Sequence, residues 1–201
     1  MKRQALLFVF LFTTLTIYAQ KPKVQEGNAK NLKGITVYNL EFDYADLQIP
    51  KYDSEEEFLK DKMAKREEKE AGTGEKFKES WFADRENRYE PKFIESFDKR
   101  FKNGEIKVGK NIEEAQHTIK IHTTRMYAGY NVGIVRKNAE IDVLMTIYET
   151  ENPTNILWSA KFNRVQGYGA MGNDYNSGYR ISECYAKLAK EFAKYLNKNV
   201  K

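Results

Sequence analysis

The chain has 201 residues, with 34 Lys and Arg against 29 Asp and Glu, giving a formal net charge of +5. A single cysteine, Cys184, excludes an intramolecular disulfide, and a chain of this length buries enough surface to fold as one domain without covalent staples. Lysines are interleaved with acids along the whole length rather than gathered in one stretch, which argues against a nucleic-acid partner.

Lys2 and Arg3 precede an apolar run from Ala5 to Phe12, and the next charge is Lys21. This is the pattern of a secretory signal peptide over residues 1–19, cleaved after Ala19. Its apolar core is shorter than the roughly 20 residues needed to span a bilayer. No cysteine stands at the cleavage point, so the mature chain is expected to be exported without a lipid or other stable membrane anchor, to the periplasm or beyond. Residues 20–33 are polar, contain Pro22 and Gly27, and read as a flexible lead-in.

Alternation from Ile35 to Tyr44 predicts a first strand. Residues 51–88 form a charged helical excursion from the single domain spanning residues 34–201. Ser54 and Glu57 make a capping box, Glu56/Lys60 and Asp61/Lys65 are favourable pairs four apart, and Phe58, Leu59 and Met63 give one narrow apolar foot. Such a helix is expected to be a solvated appendage, pinned back by burial of Trp81 and Phe82. Phe93, Ile94, Phe97 and Phe101 line one face of a helix over residues 90–102.

Strands are predicted over 118–127, 139–150 and 156–165, the last two joined as a hairpin through Glu151 to Asn155. A closing helix over 179–197 carries Ile181, Tyr185, Leu188, Phe192 and Leu196 at three- and four-residue steps, with Cys184 among them as a buried, inert thiol. The order predicts an α+β fold in two layers: a mainly antiparallel four-stranded sheet with helices packed on one face.

Most motifs reduce to structure. Gly167-Tyr168-Gly169-Ala170-Met171-Gly172 spells the dinucleotide pattern, but the helix begins too late to meet a pyrophosphate and no later strand supplies a ribose-binding acid. His117 and His122 are separated by an odd number of strand residues and so fall on opposite faces, unable to share a metal. The loop from Asn173 to Gly178 has oxygen donors but lacks the following glutamate of a calcium loop. Neither cofactor nor metal is therefore expected. Glu140 and Asp142 share a strand face, which is ordinarily the wet side of a half-buried strand.

One constellation remains. In an antiparallel meander, the loops after the second and fourth strands emerge at the same end of the sheet. Both are rich in Tyr, Gly and Asn, the composition of adaptable recognition loops. Their candidate binding residues are Tyr127, Tyr130 and Arg136 in the first, and Tyr168, Met171, Asn173, Asp174, Tyr175, Tyr179 and Arg180 in the second. The alternative is that the tyrosines pack on one another as a structural lid.

The stretches YNVGIVRKNAEID (130–142) and GYGAMGNDYNSGYRISECYAKLAKEF (167–192) resemble small exported α/β proteins of unassigned function. The order of strands and helices is similar to envelope modules such as the TolB amino-terminal domain and outer-membrane assembly lipoproteins. That resemblance implies a binding or assembly role in the cell envelope, with a protein or another envelope component as partner and no catalytic residues to carry over. Two other classes stand beside it: a small hydrolase using Asp142 or Asp174, and a carrier of a small apolar ligand held between sheet and helices.

Overall fold

A computed structural model describes residues 21–101, 105–132, 134–167 and 176–200. The expected signal peptide lies outside the described residues, as do Tyr168, Met171, Asn173, Asp174 and Tyr175 of the second loop. The fold is α+β. Among the described residues a six-stranded mixed sheet runs in the order β1 (Lys23–Gly27), β8 (Asn152–Gln166), β7 (Glu140–Glu149), β4 (His117–Tyr127), β2 (Val37–Asp43), β3 (Lys107–Gly109), and a separate two-stranded ribbon pairs β5 (Tyr130–Asn131) with β6 (Arg136–Lys137).

The centre of the sheet follows the apolar alternation of the sequence. In β7 (Glu140–Glu149), Ile141, Val143, Met145 and Ile147 are all buried, and β7 pairs antiparallel with β4 (His117–Tyr127) and β8 (Asn152–Gln166). On that buried face lies α4 (Ser177–Asn199), whose Ile181, Tyr185, Leu188, Phe192 and Leu196 form the stripe expected from the sequence. Asn176 caps α4 by accepting the Tyr179 N–H at 3.1 Å. Beside it runs α3 (Glu90–Asp98), with Phe97 stacked on Phe192 at 5.8 Å and Phe93 edge-on to Phe42 at 5.9 Å. Trp158 of β8 is fully buried against Phe192, and truncating a side chain of this kind costs about 3 to 5 kcal/mol.

The sheet differs from the expected mainly antiparallel four-stranded one in three ways. First, β2 (Val37–Asp43) is parallel to both β4 and β3 (Lys107–Gly109). Parallel neighbours need a long crossover, and α1 (Glu55–Glu67), α2 (Thr73–Asp84) and α3 lie between β2 and β3. Second, part of the stretch expected as a lead-in forms an edge strand, β1 (Lys23–Gly27), antiparallel to β8, followed by a 3₁₀ turn over Ala29–Leu32 that buries Leu32 completely. Third, β8 begins at Asn152, so Thr150 and Glu151 alone make the hairpin turn.

The charged excursion is likewise more than an appendage. Ser54 caps α1, Asp61 and Lys65 pair at 2.7 Å, and Phe58 and Leu59 are buried, all as the sequence suggested. But α1 and α2 pack as a helical hairpin whose Phe58 meets Trp81, Phe77 and Tyr52. Glu55 accepts from both the Trp81 indole, at 2.6 Å, and Arg85, at 2.5 Å. Trp81 is buried as expected, whereas Phe82 stays exposed with the Arg85 guanidinium 4.8 Å from its ring. One π-helical turn, Arg85–Tyr89, then joins α2 to α3 and places Tyr89 flat against Tyr185 of α4, with ring centroids 5.3 Å apart.

Candidate functional site at the hairpin end of the sheet

The sheet has one face under the helices and one open. On the open face, β4 and β7 carry Arg125, Glu140 and Asp142, and β8 adds Arg164. Strand pairing is interrupted here twice, between Thr123 and Arg125 and between Ile141 and Val143. Bulges of this kind bend a strand and re-aim its side chains. At the second, Arg164 takes a positive φ of 52° and its N–H donates to Asp142 Oδ1 at 2.5 Å.

The result is a connected charge network. Glu140 is only 5% exposed, and its carboxylate accepts from Gln166 at 2.8 Å and lies 3.4 Å from Arg164 and 3.6 Å from Arg125. Arg125 also reaches Asp142 at 3.9 Å. A nearly buried carboxylate is tolerable only when donors and opposite charge surround it, and here both acids are met by such groups. Glu140 and Asp142 thus do more than wet the open side: they organise a site.

Above this floor opens a cleft of about 500 Å³ lined by Pro50, Lys51, Arg125, Tyr127, Tyr130, Lys137, Glu140, Asp142 and Arg164. One wall comes from the segment after β2. Gln48 bridges to β4, its N–H donating to Thr124 O and its carbonyl accepting the Met126 N–H, both at 3.0 Å, which brings Pro50 and Lys51 alongside. The other wall is the ribbon of β5 (Tyr130–Asn131) and β6 (Arg136–Lys137), in which Tyr130 pairs with Lys137. Lys137 Nζ sits 5.0 Å from the Tyr127 ring centroid, a cation–π contact. Gly129 turns the chain into the ribbon with φ +62°, and a Cβ there would meet Lys137 O at 2.4 Å, so no other residue fits.

Of the candidate residues read from the sequence, Tyr127 and Tyr130 line this cleft, and Arg136 lies on the same ribbon. Arg180 has a different task. It is 7% exposed in the first turn of α4, donating through Nε to Ala128 O at 2.9 Å and through Nη2 to Gly129 O at 3.2 Å. It fastens the helix to the base of the ribbon and so brings the start of α4 and the first loop together. Tyr179 is half-buried beside it. Gly167, the described glycine of the dinucleotide-like run, packs so closely on α4 that a Cβ would meet Cys184 N at 2.4 Å.

Lys51, Arg125, Lys137 and Arg164 were not legible as site residues. Arg125 and Arg164 are aimed by bulges, and Lys51 by a loop bridge, and neither feature leaves a periodic trace in sequence. Farther along the open face, Lys120 stands 2.8 Å from Glu41 and 3.0 Å from Asp43, while His122 Nδ1 meets Asp43 Oδ2 at 3.0 Å. His117, by contrast, packs edge-on to the buried Tyr38, so the histidines do occupy opposite faces. Burial works to raise the Glu41 and Asp43 carboxyls, but hydrogen bonds, from Lys120 and then Tyr148 at Glu41 and from the Ala45 N–H and then Lys120 at Asp43, outweigh it and hold both below their ordinary values. Compared with family models, curated proteins and solved structures, the chain matches none of them.

Proposed function

We propose that the chain is an exported, non-catalytic binding or accessory protein of the cell envelope that recognises a protein or an envelope polymer at the hairpin end of its sheet. The observation that carries the reading is the cleft itself, where Tyr130 and Lys137 from the ribbon line one space with Tyr127 and Arg125 of β4 and with Lys51. Tyrosine and arginine supply large contact surfaces with a polar tip and are the usual anchors of recognition sites. The floor is already fixed by its own ion pairs and hydrogen bonds, so little side-chain freedom is lost on binding. Export is read from residues 1–19; the mature protein should begin near Gln20 by intact mass, and retention of Met1 to Ala19 would refute it.

The reading is tested by placing a photo-crosslinking residue at Tyr130, and as a control at Lys78 on α2, and irradiating each variant in envelope extract. Adducts from position 130 and none from position 78 support it; no adducts, or the same adducts from both, contradict it. Because Glu140 and Asp142 line a cleft, a small hydrolase using Asp142 stands as a second reading. A hydrolase shortens what it holds. Captured polymer would then be recovered cut from the wild type and intact from Asp142→Asn, whereas the binding reading expects intact material from both.

A further inference from the structure

The tip of the β5–β6 ribbon is the place where the molecule most openly breaks the rule that apolar side chains are covered. Val132 is 69% exposed, Ile134 100% and Val135 52%, and Tyr130 at the ribbon's start is 41% exposed. The only other large exposed hydrophobics among the described residues are Val24 and Phe82, so four of six share one ribbon. Clustering of this kind marks an interaction surface, whereas scattered exposed apolar residues do not.

Three observations say what covers it. Ile134 is fully exposed and Val132 and Val135 more than half exposed, so the occupant must accept apolar side chains that stand clear of the protein. Two of the tip's backbone N–H groups are already satisfied from within, Val132 donating to Val135 O and Ile134 to Val132 O, each at 3.1 Å, which lowers the cost of taking them out of water. Along the sequence the charge beside the tip is of one sign: Arg136 and Lys137 follow the apolar residues directly, and no acid occurs between Tyr127 and Ala139. An apolar insertion beside a basic collar is the pairing that holds a peripheral protein on an anionic lipid surface. A second copy is a poorer fit, because tip-to-tip contact would bring two Arg136/Lys137 pairs together.

We infer that this ribbon docks the protein reversibly on an anionic membrane, with Val132, Ile134 and Val135 entering the headgroup boundary and Arg136 and Lys137 lying against lipid phosphates. No described helix is long and apolar enough to cross a membrane, so attachment through the tip is peripheral. The inference stands on the exposed tip residues Val132, Ile134 and Val135, shares Tyr130 and Lys137 with the cleft, and goes beyond the binding role proposed above.

The test is sedimentation of the mature protein with vesicles made of equal parts phosphatidylglycerol and phosphatidylcholine, against vesicles of phosphatidylcholine alone. Binding to the anionic vesicles is expected, weakened about tenfold or more by Ile134→Asp and about fivefold per charge by Arg136→Gln and Lys137→Gln, with a shallower salt dependence. In Ile134→Trp the added indole should shift its emission to the blue on vesicles, against Trp81 and Trp158, which are already buried. Unchanged urea midpoints would show that these exposed substitutions leave the fold intact. Absence of vesicle binding, binding indifferent to Ile134→Asp, or lipid-independent self-association that Ile134→Asp abolishes would each overturn the inference. Arg125→Gln, which alters only the cleft, should keep lipid binding, so failure of the cleft reading and failure of the membrane reading are separable.

Discussion

Lys120 is flanked on the open face by Glu41 and Asp43, whose hydrogen bonds to it, Glu41's foremost, push its ammonium up to about 12 against the opposing effect of burial. Because both carboxyls ionise more readily in the fold than in the unfolded chain, their contribution is complete above about pH 4 and drains away as pH falls through their lower folded values. Urea midpoints measured down through the acid range should therefore fall, and Lys120→Met should flatten that fall; an unchanged slope would mean the ladder contributes nothing. Cys184 makes a second residue-level prediction. It is fully buried, and burial pushes its thiol up to about 12, so a thiol reagent should modify it no faster than the chain opens. Arg180→Ala leaves two carbonyls at the ribbon's base without their donor and should cost about 1 to 3 kcal/mol by urea unfolding. A cost near zero would show that the clasp is dispensable.

At the level of elements, the helical hairpin of α1 and α2 shows how charge can disguise a core contribution. The exposed face of α1 is so rich in Lys and Glu that only Phe58, Leu59 and Met63 stand out there as apolar, yet Phe58 is the hub of an aromatic cluster with Tyr52, Phe77 and Trp81. Phe58→Ala should accordingly cost about 3 kcal/mol or more, measured by denaturant midpoint at constant slope. A loss within about 0.5 kcal/mol, the scale of a surface substitution, would return the hairpin to the status of a solvated appendage. Elements with a clean period were legible from sequence: β7 by alternation, and α4 by its three- and four-residue steps. Residues 23–27 were not, since an edge strand with every residue exposed has no apolar face to betray it. The parallel placement of β2 was also hidden, because alternation reports which face is buried and says nothing of a strand's direction or neighbours.

For the whole molecule, the meander of β4, β7 and β8 brings the ribbon and the first turn of α4 to one end of the sheet, and Arg180 ties the two together. That juxtaposition was readable from strand order alone. The charged floor was not: it depends on two bulges and on the Gln48 bridge that carries Pro50 and Lys51 into place, all features of tertiary pairing. The central claim is that this end of the molecule is a recognition surface and not a packed lid. Its most direct test is a paired measurement on Tyr130→Ala, comparing capture of the envelope partner with the unfolding midpoint. The account predicts an unchanged midpoint and capture weakened by about 2 kcal/mol or more, the loss typical of an interface anchor; a lowered midpoint with capture intact would contradict it.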